Sequence, residues 1–320
     1  MNDTNSTVRG IKEQFSYWEQ AAVPDLRLDP AQPHVLVGCG TSYYLAQSVA
    51  AALNASGVNA LAVPGGEWLA RPDNYLPAGA RPRVIAFSRS GESTETVQAA
   101  RRSRAAGLEV IALTCEAASS LARNADTVLY APTHPEEGIV MTASASLMLL
   151  MGLRLAGVSI GTREIAGAQA LLDTVEGDLG AAISGCSHFV VLGGGVLYGV
   201  AQEGALKLQE MSLSYAQAFH PMEYRHGPMS LIDERTLVVL LSHPDTRLEE
   251  ATLASELRGK GARVLSFGNS GDLSFEVPRD AAVRALSVLP ALQLLGECVA
   301  QHKGLDSRAP RWLTKVVTLA

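Results

Sequence analysis

Short apolar runs alternate with helix-forming segments along most of the chain. The runs rich in β-branched residues predict buried strands, and the segments between them have the composition or the 3.6-residue spacing of helices. In the first half the predicted strands lie at residues 34–37, 60–63, 84–87, 110–113 and 127–130. Strands that alternate with helices in this way predict a parallel, doubly wound α/β sheet.

Two further segments have the pattern of helices. Residues 10–22 place Ile11, Phe15 and Trp18 at helical spacing, which predicts an amphipathic helix ahead of the first strand. Residues 143–156 are apolar on nearly every side, which is typical of a buried or interface helix.

The second half of the chain repeats the first. Three pairs of segments match at offsets of 155 (190 − 35) or 154 (242 − 88) residues: 35–40 with 190–195, the strand ending at Ser88 with the strand ending at Ser242, and 107–111 with 261–265. Three segments that keep nearly one offset predict two copies of one α/β unit. The expected organisation is an N-terminal helix and linker over residues 1–30, a first unit over 31–170 and a second over 171–320.

A serine-rich turn follows the predicted strand at 84–87. Residues 88–93 read Ser-Arg-Ser-Gly-Glu-Ser, and a helix is predicted after them. Backbone N–H groups and the helix dipole favour an anion at such a strand-to-helix turn. We therefore expect Ser88, Ser90 and Ser93 to bind a phosphate, although capping of the helix would also use a serine. In the matching turn, 242–247, the glycine is lost and an acidic residue and a proline appear, so phosphate binding is predicted for the first copy alone.

A glycine-rich loop follows the first predicted strand. Residues 38–42 read Gly-Cys-Gly-Thr-Ser, but Tyr43 stands where a dinucleotide fingerprint needs its third glycine. We expect this loop to lie beside the serine turn, because the carboxyl ends of neighbouring parallel strands share one crevice. Its N–H groups and Ser42 would then contribute to the same phosphate site.

Composition and charge exclude several classes of protein. A net charge of −6 without a Lys/Arg cluster argues against nucleic-acid binding. The N-terminus lacks the apolar core of a signal peptide, and the apolar stretch 143–160 is interrupted by serine, glycine and arginine, so no membrane segment is expected. The four cysteines are scattered without a C-x-x-C pair. These features predict a cytoplasmic protein with reduced thiols, no bound metal and no cofactor.

Three residues of the second half could take part in chemistry. His226 lies in a His-Gly-Pro turn that can hold the imidazole outside a helix, although a histidine bonded to local backbone would fit equally. Glu210 lies on a predicted helix, where a solvated carboxylate is the simpler interpretation. The tail from Trp312 onward is apolar, so we expect it to pack against the protein and to carry Lys315 with it. Apolar surroundings favour the carbonyl-reactive form of an amine, whereas a lysine at the edge of the core would keep its ammonium in water.

Five motifs in order resemble the sugar isomerase (SIS) family. They are Gly-Cys-Gly-Thr-Ser at 38–42, Ser-Arg-Ser-Gly-Glu-Ser at 88–93, Lys-Leu-Gln-Glu at 207–210, Arg-His-Gly-Pro at 225–228 and Pro-Arg-x-Leu-x-Lys at 310–315. Within the family the chain looks like the isomerase half of glucosamine-6-phosphate synthase and like stand-alone amino-sugar-phosphate deaminases. The resemblance implies two tandem SIS domains, each a three-layer α/β/α unit with a parallel, flavodoxin-like sheet.

The resemblance also implies a role for each motif. The residues expected to bind the sugar phosphate are Gly40, Thr41, Ser42, Ser88, Arg89, Ser90 and Ser93. Glu210 matches the carboxylate that moves a proton between C1 and C2, and Lys315 matches a tail lysine that can form an imine with the ketose. His226 matches a histidine that helps to open the sugar ring and that a neighbouring subunit supplies in relatives. A homodimer is therefore expected.

Two positions depart from the synthase pattern, and the N-terminus differs as well. Arg89 replaces a glutamine, which adds positive charge for a phosphate, and Ala143 replaces a lysine. The chain has Asn2 and about 30 residues before its first strand, so no glutaminase domain is expected. The predicted activity is conversion of a hexosamine 6-phosphate to a ketose 6-phosphate and ammonia. The alternatives are a fructosamine-6-phosphate deglycase and a non-catalytic sugar-phosphate-binding regulator.

Overall fold

Two five-stranded parallel sheets form the centre of the protein. The computed structural model describes residues 5–77 and 79–317. The strands of the first sheet are β1 (His34–Gly38), β2 (Ala60–Pro64), β3 (Arg83–Phe87), β4 (Val110–Thr114) and β5 (Thr127–Tyr130). Those of the second sheet are β6 (His188–Gly193), β7 (Tyr215–Phe219), β8 (Thr236–Leu241), β9 (Arg263–Phe267) and β10 (Leu273–Phe275).

The two sheets have the same topology. The first has the order β2-β1-β3-β4-β5, and the second, read from its other edge, has the order β7-β6-β8-β9-β10. This is the flavodoxin-like order, in which ligands bind at the carboxyl ends of the central strands. Each sheet has a central strand that is buried along its whole length, β1 in the first and β8 in the second, as expected when helices cover both faces. The predicted fold class is confirmed.

The helices lie between the strands and between the sheets. In chain order they are α1 (Ser6–Gln20), α2 (Thr41–Ala55), α3 (Gly65–Ala70), α4 (Thr94–Ala105), α5 (Ser120–Arg123), α6 (Ala143–Leu155), α7 (Thr162–Glu176), α8 (Leu179–Ile183), α9 (Val196–Ser212), α10 (Arg247–Gly259) and α11 (Ala281–His302). The predicted division at residue 170 falls within α7, and the domain boundaries stay a prediction.

Helices α2 and α9 join the two halves at close range. A Cβ built on Gly199 of α9 would lie 2.1 Å from the carbonyl oxygen of Tyr44 on α2, so the two backbones approach as only glycine permits. One apolar cluster runs through both halves and includes Leu45 from α2 and Leu208 from α9. This contact brings the C-terminal part of α9 to the amino end of α2.

Helix α1 is built into the same core. Its buried face includes Val8, Ile11, Phe15 and Trp18. The indole N–H of Trp18 donates to the Ser146 hydroxyl of α6 at 2.8 Å. The predicted amphipathic helix therefore packs against α6.

Helix α11 is a long apolar helix of the core. Within the described ranges it is the helix that is long and apolar enough to cross a membrane, with a mean hydropathy of 1.4 over its most apolar window. However, 89% of that window is buried inside the protein, as in a core helix. The sequence reasoning overlooked this segment because it considered residues 143–160 instead.

Candidate active site at the carboxyl end of the first sheet

The serine turn is held in one shape by its own hydroxyls. Gly91 has a φ of 65°, and a Cβ there would lie 2.1 Å from the Ser119 hydroxyl oxygen, so no other residue fits. Its N–H donates to the Ser88 hydroxyl at 3.1 Å, and the next N–H donates to the Ser90 hydroxyl at 3.2 Å. Ser93 precedes α4, but its side chain makes no capping hydrogen bond. Helix capping therefore does not account for Ser93, and phosphate binding remains a prediction.

The glycine-rich loop lies next to the serine turn, as expected for neighbouring strands. Strands β1 and β3 pair in parallel, and the Cys39 thiol lies 3.5 Å from the Thr96 hydroxyl of α4. Gly40 has a φ of 54° immediately before α2. Thr41 and Ser42, the first residues of α2, are both buried. The glycine-rich loop therefore contacts the helix that follows the serine turn, at the same edge of the sheet.

A buried group of charges connects Glu210 to this region. Glu203, Lys207 and Glu210 lie on one side of α9, and the first two are fully buried. The Lys207 ammonium lies 3.2 Å from a Glu203 carboxylate oxygen and donates to Glu210 at 2.5 Å. It also donates to the hydroxyl of Thr41 on α2 at 3.2 Å. Glu210 is thus held near the amino end of α2, and its side chain keeps 21% exposure.

The electrostatics of this group follow from its burial. Burial raises the pKa of the Glu203 carboxyl, although Lys207 opposes the shift. Burial alone would lower the pKa of the Lys207 ammonium, but the two carboxylates outweigh it and hold that pKa above its ordinary value. With Glu203 protonated, a Lys207–Glu210 ion pair remains. The sequence analysis missed Glu203 and Lys207, whose signal is three charges at helical spacing in an otherwise apolar helix.

The C-terminal tail, residues 310–317, is more exposed than its apolar sequence predicts. Trp312 is 89% exposed and Val317 is 56% exposed, so the prediction that the tail buries its apolar side chains is wrong for the described residues. Residues 318–320, which that prediction also covered, lie outside them. Polar contacts hold the tail instead: the Lys315 ammonium donates to the carbonyl oxygen of Glu137 at 2.8 Å. Lys315 itself is exposed rather than in apolar surroundings.

Arg89 is directed toward backbone carbonyls. Its guanidinium is buried and donates to the carbonyl oxygens of Gly138 at 3.0 Å, Ile139 at 3.2 Å and Lys315 at 2.9 Å. A cavity of about 220 Å³ lies beside it, between the serine turn, the ends of β4 and β5, and the tail. These contacts differ from the expected role of Arg89 as a free cation for the phosphate.

His226 lies at the surface between two short 3₁₀ helices, Glu223–Arg225 and Pro228–Leu231. Gly227 has a φ of 130°, which allows the sharp turn after the histidine. The imidazole is exposed and makes no hydrogen bond with any described residue, so it is not satisfied by local backbone. Within the described residues, no hydrogen bond or ion pair joins the His226 imidazole to Glu210 or Lys315.

The region offers no cluster of metal ligands. Among residues 5–77 and 79–317, no three His, Cys, Asp or Glu side chains are placed to hold a metal ion. The arrangement is instead that of a serine-rich turn, the Glu210 carboxylate held by the Lys207 ammonium, and a second lysine, Lys315.

The family model described as "SIS domain" matches residues 30–156 and 182–287. The chain belongs to the SIS family.

Solved structures and curated relatives agree with this membership. Glucosamine-6-phosphate deaminase from Thermotoga maritima is 31% identical, with a TM-score of 0.84, covering 98% of this chain and 100% of that one. Tagatose-6-phosphate ketose/aldose isomerase from Escherichia coli is 27% identical, with a TM-score of 0.84, covering 98% and 96%. The glutamine–fructose-6-phosphate aminotransferase of Sulfurisphaera tokodaii is 29% identical over 90% of this chain and 50% of its own length. The chain spans about half the length of the curated relatives it matches.

Proposed function

We propose that this protein converts a hexosamine 6-phosphate to a ketose 6-phosphate and ammonia. The observation that carries the proposal is Glu210, a carboxylate that the buried Lys207 holds at the amino end of α2, beside the predicted phosphate turn. The similarity to a protein named glucosamine-6-phosphate deaminase supports the same reaction. Similarity to a ketose/aldose isomerase supports the proton transfer that both reactions share.

The proposed mechanism begins with an open-chain aldose anchored by its phosphate at the serine turn. Glu210 takes the proton from C2, which the neighbouring aldehyde acidifies, and the electron pair forms an enolamine. Glu210 then returns the proton to C1, which leaves an imine at C2. Water adds to this imine, and ammonia departs to give the ketose phosphate. Lys207 contributes by orienting the Glu210 carboxylate and stabilising its charge.

Lys315 and His226 have proposed roles at the two ends of this sequence. Lys315 would form an imine with the open-chain ketose, and its position beside the serine turn supports this role. His226 would help to open the sugar ring. Because it is exposed and unconnected to Glu210, it is available to a neighbouring subunit.

A homodimer that shares its sites follows from this use of His226. Exposed apolar side chains lie at the β7 edge of the second sheet. Tyr215 is 87% exposed on the edge strand β7, and Leu213 and Leu231 are also exposed. A cavity of about 510 Å³ lies between them. An exposed edge strand with apolar neighbours favours contact with another chain. The proposed setting remains cytoplasmic, without nucleic-acid or membrane partners.

A deglycase acting on a fructosamine 6-phosphate is the second candidate. The observation that favours it is the cavity of about 220 Å³ beside Lys315, which Glu116 and Arg89 also line. Such a space could accept an amino acid attached to the sugar nitrogen. Ammonia would then not be the leaving group.

An ammonia-release assay tests the proposal. The wild type should release ammonia from glucosamine 6-phosphate, and Glu210→Gln should lower the turnover by about 10²–10⁴-fold, because a positioned base is worth that much. Glu249→Gln, an exposed carboxylate on α10, is the matched control and should keep wild-type turnover. Near-wild-type turnover of Glu210→Gln would refute its role. Release of an amino acid from fructosyl-amino-acid 6-phosphates without ammonia would favour the deglycase, and binding without turnover over hours would favour the regulator.

A further inference from the structure

The loop between β5 and α6 meets both the serine turn and the C-terminal tail. Residues 134–142, here called the site loop, accept hydrogen bonds from Arg89 at Gly138 and Ile139. They also accept one from the ammonium of Lys315 at the Glu137 carbonyl. Arg89 in turn donates to the carbonyl of Lys315. Arg89, the site loop and the tail therefore form a closed set of contacts.

The geometry of Arg89 leaves little of its guanidinium for a ligand. One terminal nitrogen, Nη2, donates to Ile139 and Lys315, which uses both of its N–H groups. The other, Nη1, donates to Gly138 and lies 3.8 Å from the Glu137 carboxylate. The planar guanidinium of an arginine can donate to two chain segments at once. The ammonium of a lysine is a point charge and lacks this fork of donors.

The site loop is rigid enough to serve as the fixed side of this contact. The buried Glu137 carboxylate accepts the N–H of Thr142 at 2.7 Å and of Ser144 at 2.9 Å, and thereby caps α6. The Thr142 carbonyl accepts from Gln293 of α11 at 2.9 Å. On its outer side, His134 bonds to Glu13 of α1 at 2.9 Å. Three helices thus fix the loop, whereas the tail is exposed.

We propose that Arg89 is a positioning residue that holds the tail, and with it Lys315, against the site loop, instead of a ligand of the phosphate. Arg89 affects the proposed reaction through the position of Lys315. This inference deepens the proposed function and rests on it for the role of Lys315. Besides Arg89 and the Lys315 ammonium, the described tail has one backbone contact to the phosphate region, from the N–H of Thr94 to the Val317 carbonyl at 3.4 Å.

The first measurement is tryptic cleavage after Lys315 in the ligand-free protein, read by mass spectrometry. Arg89→Gln should raise the cleavage rate about tenfold, because the tail loses a buried hydrogen bond to a charged group. Arg101→Gln is the control, since it removes an exposed arginine from the helix that follows the same turn. It should cleave at the wild-type rate. This measurement requires no catalytic activity.

The second measurement separates positioning from phosphate binding. Glucitol 6-phosphate carries the phosphate on an open chain without a carbonyl, and its Kd should change less than about threefold in Arg89→Gln. Borohydride trapping of fructose 6-phosphate on Lys315 should fall about tenfold, and kcat should fall more than KM changes. A tenfold rise in the Kd of glucitol 6-phosphate with unchanged cleavage after Lys315 would overturn the proposal.

A second variant covers the case in which Arg89→Gln does not fold. Arg89→Lys keeps the charge but lacks the fork, so it should show the same faster cleavage with a nearly unchanged Kd. Wild-type cleavage and trapping in Arg89→Lys would also contradict the proposal. If the wild type releases no ammonia, the proposed function fails, but the cleavage rates still decide whether Arg89 holds the tail.

Discussion

The two halves have the same sheet topology but differ at the turns that follow β3 and β8. Gly40 and Gly195 have φ angles of 54° and 55° at equivalent positions before α2 and α9. After β3, the hydroxyls of Ser88 and Ser90 accept backbone N–H groups of the turn, and that of Ser93 makes no capping hydrogen bond. After β8, the buried Glu250 carboxylate accepts the N–H of His243 at 2.9 Å and the hydroxyl of Thr246 at 2.8 Å. The second half therefore places a carboxylate of its own at the turn where the first half is predicted to receive a phosphate.

This difference suggests how a duplicated fold can divide its work. In the second half, Arg284 also donates to the carbonyls of Ser242 and Pro278, so a buried arginine as well as a buried carboxylate bonds to the segment that follows β8. Burial raises the pKa of Glu250, and its bonds to the turn oppose that shift. The second half contributes Glu210 through α9 instead. Under the proposed mechanism, the first unit anchors the substrate and the second supplies the proton-transfer group.

The largest expected effect comes from breaking the contact between the halves. Lys207→Met removes the ammonium that lies between Glu203, Glu210 and Thr41, and leaves buried carboxylates without a partner. We expect a loss of about 3–5 kcal/mol in the free energy of unfolding. Urea denaturation measures it. The control Lys260→Met, at an exposed position after α10, should stay within about 0.5 kcal/mol of the wild type. An equally small change in Lys207→Met would show that the charges do not join the halves.

A smaller effect tests the division between the two turns directly. Calorimetric titration with glucitol 6-phosphate should give one site per chain. Ser93→Ala should raise the Kd about tenfold, since a hydroxyl bonded to a charged phosphate is worth about that much. Thr246→Ala, in the second turn, should leave the Kd unchanged. Two sites per chain, or equal effects of the two variants, would contradict the assignment of the phosphate to the first half.

The smallest effect concerns the pH dependence of stability. Burial raises the pKa of Glu203 to about 7 from 4.5, so its contribution to stability is fully present below pH 4.5 and is lost as the pH rises through 7. Between pH 6 and pH 7 the wild type should therefore lose about 1 kcal/mol more of its free energy of unfolding than Glu203→Gln. Unfolding in urea at the two pH values measures this, with Glu249→Gln as control. A larger loss in Glu203→Gln would reverse the sign and refute the assignment.

Much of the fold could be predicted because it depends on local pattern. Buried strands at 34–37 and 84–87 and the repeat at an offset of about 154 residues lead directly to two parallel sheets of one topology. The site was harder to predict, since no role was assigned to Lys207 beyond its place in the Lys-Leu-Gln-Glu motif.

The sequence by itself determined the strands and their repetition, because each depends on the local pattern of apolar and polar residues along the chain. Only the tertiary structure decided that Lys207 joins Glu210 to Thr41 and that Arg89 reaches the tail. Those contacts link residues separated by 166 and 226 positions. They arise from the packing of α2 on α9 and from a site loop fixed by three helices. Apolarity alone predicted a buried tail, but hydrogen bonds to fixed carbonyls hold it at the surface.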